Sequence, residues 1–235
     1  EFPKARYNKP AEGDSSDIEC KLAPLIVEEF DLVRSLRIGN SVNPRVFDET
    51  SPLRPDTVYF HAGTISDGKK SLDQVAFLWW YEKPVGCIPL PLSATLLTRG
   101  VRIVLDNDGM PILWEAFTDS SGPRVVFVSQ SVELAAKKQF GEPLPGRSFS
   151  IERSHDDALA IVVAGILDDG PVPMGPYVYI DATPKRAVST VHCRCSPSRF
   201  NEVVETLEYT LQPLESINAK WLHEKGGIDV KKLMD

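Results

Sequence analysis

The stretch running from Arg102 to Phe117, RIVLDNDGMPILWEAF, constrains the fold more than any other part of the chain. Two apolar segments, 101–105 and 112–117, flank Asp106-Asn107-Asp108-Gly109. Asn, Asp and Gly tolerate the positive φ angles that tight turns require, so this pattern predicts a β-hairpin. A chain that makes such a hairpin must find further strands to complete a sheet.

Suitable candidates surround it. Residues 57–62 and 74–81 read as strands, the second carrying Phe77, Trp79, Trp80 and Tyr81. Segments 124–128, 158–167, 177–181 and 187–193 are further apolar or β-branched runs bounded by Gly, Pro and Asp. Connections between them are mostly short, which predicts antiparallel meanders. Residues 25–33 fit a helix about as well as a strand.

Helical signals come mainly later. Ser131 reads as an N-cap, with Lys137 and Lys138 near the helix end and Gly141 as the stop. Ser198 reads as the cap of an amphipathic helix with Phe200, Val203, Val204, Leu207 and Leu211 on one face, ending at Pro213. A last helix is expected over 214–224. The expected class is α+β: a mainly antiparallel sheet with late helices packed on it. Residues 1–17, polar and with two prolines, read as an extended N-terminal arm, and 18–235 as a single α+β domain. The arm is expected to lie against this chain or a neighbour.

Composition narrows the function classes. The chain has 235 residues, 42% of them hydrophobic, enough to bury a core without relying on disulfides or metals. Its net charge of −7 argues against nucleic-acid binding, which needs a basic face. No apolar run approaches the roughly 20 residues of a transmembrane helix. The start at Glu1, without Met, favours an extracytoplasmic mature chain, although a truncated native N-terminus would look the same.

The densest concentration of reactive side chains is Val191-His192-Cys193-Arg194-Cys195. Tetrahedral zinc needs four ligands, usually from two short knuckles, and only one knuckle is present here. The Cys-x-x-Cys-His and Cys-x-x-Cys patterns of haem attachment and thioredoxin-like redox sites are absent. No cofactor and no metal site is expected. A cysteine nucleophile is the sharper idea: Cys195 just precedes the expected helix start, where N–H groups lower a thiol pKa. In a strand, Cys193 and Cys195 share one face and His192 takes the other, so a base must come from elsewhere, His61 for preference. The plainer reading is a strand end carrying small buried thiols. A Cys193–Cys195 disulfide would be strained in extended chain, which favours Cys20 or Cys87 as a partner for either.

Other motifs fall to simpler explanations. Ser154-His155-Asp156-Asp157 places triad residue types in a row, whereas a triad assembles in space. Asp106-x-Asp108-Gly109 lacks the later ligands of a calcium loop. Met174-Gly175-Pro176 and Gly226-Gly227 form no phosphate-binding loop. Strand 74–81 is apolar on both faces, so it is expected to be covered on both sides, by helices or by a partner. The leading expectation is therefore a non-enzymatic protein-interaction or accessory subunit that docks on a partner protein or forms a homo-oligomer. The competing one is a cysteine-dependent hydrolase, or a redox or metal protein, using Cys193, Cys195, His192 and His61.

Overall fold

The computed structural model describes residues 2–11, 17–29, 54, 56–66, 70–82, 96–117, 124–153, 161–181, 188–194, 200–218 and 221. Within them run eleven strands: β1 Phe2–Pro10, β2 Leu25–Glu29, β3 Thr57–Ser66, β4 Ser71–Glu82, β5 Leu96–Leu105, β6 Pro111–Phe117, β7 Arg124–Ser129, β8 Ile161–Leu167, β9 Pro176–Ile180, β10 Val188–Cys193 and β11 Phe200–Pro213. Two α-helices, α1 Ile18–Leu22 and α2 Gln130–Phe140, and a 3-10 turn at Leu214–Ser216 complete the described elements. All strands join one sheet in the order β10-β9-β2-β1-β11-β3-β4-β5-β6-β7-β8. That sheet curls into a nearly closed, barrel-like form.

This corrects the expected α+β class. The molecule is mostly β, and the sheet is mixed rather than mainly antiparallel. The pairs β1–β11, β11–β3, β2–β9 and β7–β8 are parallel. The meander from β3 to β7 is antiparallel throughout, as the hairpin signals implied. Its central turn is built as the sequence suggests. Gly109 has φ +76, and Asp106 Oδ1 accepts from the N–H groups of Asp108 and Met110 at 2.9 and 2.8 Å.

The largest departure is β11, read from sequence as a helix. Val203, Leu207 and Leu211 satisfy a spacing of four, which a helix and a strand share. Burial follows period two: Glu205, Leu207 and Leu211 are half-buried and Tyr209 fully so, while Glu202, Val204, Thr206, Glu208 and Thr210 are exposed. Val203, Val204, Thr206, Tyr209 and Thr210 favour extended chain. Two parallel neighbours, β1 and β3, then decide the matter. The expected start of that helix at Ser198 lies outside the described residues; of the last expected helix, Leu214–Ser216 form a 3-10 turn and Ile217 is extended, while 219, 220 and 222–224 lie outside the described residues.

Residues of the polar arm become β1, hydrogen-bonded between β2 and β11 in the middle of the sheet. The ambiguous 25–33 segment yields β2. Gly175 explains itself sterically: a Cβ there would lie 2.2 Å from the Ala23 carbonyl, where β9 approaches the end of α1.

Inside the curl lies one apolar core. It joins Phe77, Trp79 and Tyr81 of β4, Val101 and Ile103 of β5, Trp114 and Phe127 to Ile26, Val178, Ile180, Val191 and Cys193 from the other end of the sheet. The second face of β4 is buried too. Leu78 and Trp80 pack with Tyr59, Leu214 and Ile217, with Phe117 and Trp221 alongside. The chain's own segment after β11 therefore supplies the cover that sequence assigned to helices or a partner.

Candidate functional site

The sequence-predicted residues are dispersed. Cys193 points into the core, is only 5% exposed and is disulfide-bonded. Its sulfur therefore holds no thiolate in this state, which nucleophilic attack requires. Cys195 and Cys87 lie outside the described residues, and Cys20 is a half-buried thiol. His192 faces outward, its ring edge-on to Tyr179 with centroids 5.5 Å apart. His61 is on β3, five strands away from β10 in the sheet, and its Nδ1 bonds Glu215 of the 3-10 turn. The structure thus does not bring His61 or His192 to Cys193. No group of three or more His, Cys, Asp or Glu suited to a metal occurs among the described residues. The Ser154-His155-Asp156-Asp157 stretch lies outside them.

A buried polar network does exist, and sequence reading missed it. Glu28 on β2, 1% exposed, accepts from Tyr81 Oη at 2.7 Å and from Asn8 Nδ2 at 3.0 Å. Arg6 Nη1 stands 3.9 Å from the same carboxylate, and Arg6 Nε donates to Glu205 at 2.9 Å. Tyr81 belongs to β4, four places from β2 in the sheet, so its bond to Glu28 crosses the interior. Tyr209 adds a bond from its hydroxyl to the Pro24 carbonyl at 2.6 Å, and burial keeps that phenol neutral to well above the ordinary range. Each of these groups has protein partners, so the network fastens the sheet to itself. The signal in sequence was slight: alternating polar residues in an arm that looked unstructured.

A different region is built outward. Strand β7 leads through α2 to β8, which pairs parallel to β7 as the last strand of the sheet. Ser129, two residues before the expected cap, caps α2 by accepting from the Val132 N–H. Ser131 instead donates through its hydroxyl to Asp169 Oδ1 at 2.8 Å and through its N–H to Oδ2 at 3.1 Å. Asp169 is the second residue after β8, so this clamp fixes the strand's end to the helix start. Glu133 on α2 accepts from the N–H groups of Ser150 and Ile151 at 2.6 and 3.2 Å. Arg153 lies over the Phe140 ring and donates to the Gly141 carbonyl at 3.2 Å. The crossover is thus tied down along its described length.

The strand it delivers is unusual for an edge. β8 reads Ile-Val-Val-Ala-Gly-Ile-Leu, with Ile161 46% and Val162 45% exposed on successive residues, hence on both faces. Nothing among the described residues pairs with its outer side. Leu134 and Phe140 of α2, 58% and 50% exposed, add apolar surface to the same crossover. A one-residue irregularity opposite Val126 and Phe127 divides the strand at Ala164. Charge near this edge is balanced on the β7 side: Glu115 takes Arg102 and Arg124 together. Burial pushes the Glu115 carboxyl above its ordinary value, with Arg102 opposing.

Comparison of the chain with protein-family models, characterised proteins and solved structures finds no match in any of the three. The geometry alone therefore bears on function, and no described helix is long and apolar enough to cross a membrane.

Proposed function

We propose that the chain is a non-enzymatic interaction domain that takes up an extended segment of a partner protein along the outer edge of β8. One observation carries this reading: among the described residues β8 is an end strand, apolar on both faces and exposed. Unpaired edge strands are templates for another strand, and natural proteins usually blunt them with charge, proline or cover. Main-chain hydrogen bonds supply affinity in such pairing, and alternate side chains supply selectivity. The acidic net charge of −7 counts against a nucleic-acid partner.

Two features that favoured docking at the sequence level find their partners within the chain, since the polar arm is β1 and the aromatic strand is covered by the 3-10 segment. The edge replaces them as support. The disulfide at Cys193 favours an oxidising compartment. It also keeps a redox role open as the second reading, which predicts cycling of Cys193 by a dithiol reductant without loss of fold.

Amide hydrogen exchange of the whole chain tests the main reading, with and without an excess of a synthetic alternating Thr/Val peptide. New protection is expected at 161–167 and none at 188–193. Unchanged exchange at 161–167 would sink the reading.

A further inference from the structure

We infer that a second site, at the other end of the sheet from β8, binds a small aromatic carboxylate between Arg194 and the aromatic group of Tyr7, Tyr177 and His192. It is independent of the docking edge.

The register builds the aromatic group. His192 of β10 lies directly opposite Tyr177 of β9, so the two side chains share the outward face. Tyr179, two residues further along β9, shares it as well. Val27 of β2 pairs with Tyr179 on one side and Tyr7 on the other, and gives this face an apolar floor. Over that floor the ring centroids of Tyr7 and Tyr177 stand 6.4 Å apart, those of Tyr177 and Tyr179 6.3 Å, and those of Tyr179 and His192 5.5 Å. Tyr179 is buried, while Tyr7, Tyr177 and His192 are half-buried and reach the surface. Neighbouring rings are inclined by 44° to 87°, so they make walls and not a flat platform. Walls of this kind receive another ring edge to face.

Arg194 supplies the charge. The pair Cys193–Pro176 places it one step beyond β10, beside the start of β9 where Tyr177 stands. Cys193, buried and disulfide-bonded, fixes the chain at that point. Arg194 is half-buried, yet it makes no ion pair or hydrogen bond among the described residues. Its guanidinium is a fork of donors that matches a carboxylate in two places. Its charge also reaches the Tyr7 hydroxyl. Burial and a side-chain hydrogen bond with Tyr177 push that hydroxyl up, with Arg194 opposing, so it stays neutral. A hydroxyl pair uses one O–H internally and has one to offer. The carboxylates of this face do not occupy the fork. Glu208 is held by Lys9 at 3.0 Å. Glu29 lies four residues along β2 from Leu25, the partner of Tyr177, hence roughly 13 Å away. One guanidinium on a chain of net charge −7 suits a monoanion better than a dianionic phosphate.

Amide NMR titration of the whole chain with benzoate tests this, with benzamide, acetate and phenyl phosphate as comparison probes. Benzoate is expected to shift the signals of 177–179 and 192–194 and to bind about tenfold tighter than benzamide, which keeps the ring without the charge. Acetate, which keeps the charge without the ring, is expected to bind about tenfold weaker than benzoate. Phenyl phosphate is expected to gain nothing over benzoate. Arg194→Gln should lower benzoate affinity about tenfold, and Arg194→Lys should recover only part of it, since the charge returns without the fork. The probe comparison needs no variant, so it decides the matter even where a substitution unfolds the chain. Benzoate that shifts no signal at 177–179 or 192–194 overturns the inference, as does benzamide or acetate that binds as tightly as benzoate. Full benzoate affinity in a folded Arg194→Gln chain overturns it too. Phenyl phosphate that binds tighter than benzoate overturns the carboxylate assignment. None of these outcomes bears on β8.

Discussion

The two ends of the sheet solve the same problem in opposite ways. Strand β10 hides its edge. It turns Val191 and Cys193 into the core, packs near β6, and leaves His192 and Thr190 outside against Tyr179 and each other. A disulfide at Cys193 and an irregularity between Val188 and Thr190 tie and twist it. Strand β8 does none of this. It holds apolar side chains out on both faces while β7, α2 and the 149–153 turn support it from one side.

Breaking the β10 half should therefore cost most. Glu28→Ala leaves Arg6 with Glu205 but removes the buried carboxylate that accepts from Tyr81 and Asn8. Removing one partner of a buried ionic network is expected to cost about 3–5 kcal/mol, read as a lower urea midpoint. Tyr81→Phe, which deletes only the cross-barrel hydroxyl, should cost about 1–2 kcal/mol by the same measurement. Reduction of the disulfide, or Cys193→Ser, lies between these two at about 2–4 kcal/mol, while binding of a strand peptide at β8 stays unchanged. A reduced chain that lost peptide binding before it lost stability would show the two ends to be coupled.

This division was only half legible in the sequence. The meander from β3 to β7 could be read because its turns are local and its strands alternate. Where pairing joins distant segments, no local signal exists. β1 looks like an arm because Lys4, Arg6, Asn8 and Lys9 are polar. Arg6 and Asn8 are polar for a reason found only in space: Glu28 and Glu205 await them. β11 looks helical because a spacing of four fits both periods, and only its two parallel neighbours resolve it. At the candidate site the apolar β8 was visible in sequence only as one of several strand-like runs, 158–167. Its exposure depends on its being last in the sheet order, which composition does not encode. The cysteines drew attention by density alone, and density says nothing about which side of a strand faces a base.

A subtler contrast lies in titration. Glu115, two strands in from the β8 edge, has its carboxyl raised above the ordinary 4.5 by burial. A carboxyl raised on folding favours the protonated native form, so its contribution is fully present below the unfolded value and is lost as pH rises through the folded one. Stability is thus expected to fall across that window just above pH ~4.5 through this group. Glu115→Gln should flatten that component of the pH profile in denaturant titrations, at some cost from the lost pairing with Arg102 and Arg124. A slope that survives the substitution would locate the titration elsewhere.

The smallest expected effect on stability is the most telling for the comparison. Val162 is 45% exposed on the end strand, so Val162→Lys removes little buried area and should shift stability by no more than about 0.5 kcal/mol. The same substitution at Val191, which is fully buried on β10, places a charge in the core and is expected to prevent stable folding. If β8 were only an incidental rim, Val162→Lys would alter nothing else. If it is a docking edge, the lysine should weaken strand-peptide binding by about tenfold, because it blunts the edge as natural edge strands are blunted. Repulsion of a lysine-bearing peptide by the new lysine should be strongest at low salt, whereas the loss of apolar contact persists at high salt. Peptide titration at two ionic strengths separates these parts. A variant that kept full affinity at both would show that Val162 does not take part in binding, and would move the docking surface off this face of β8.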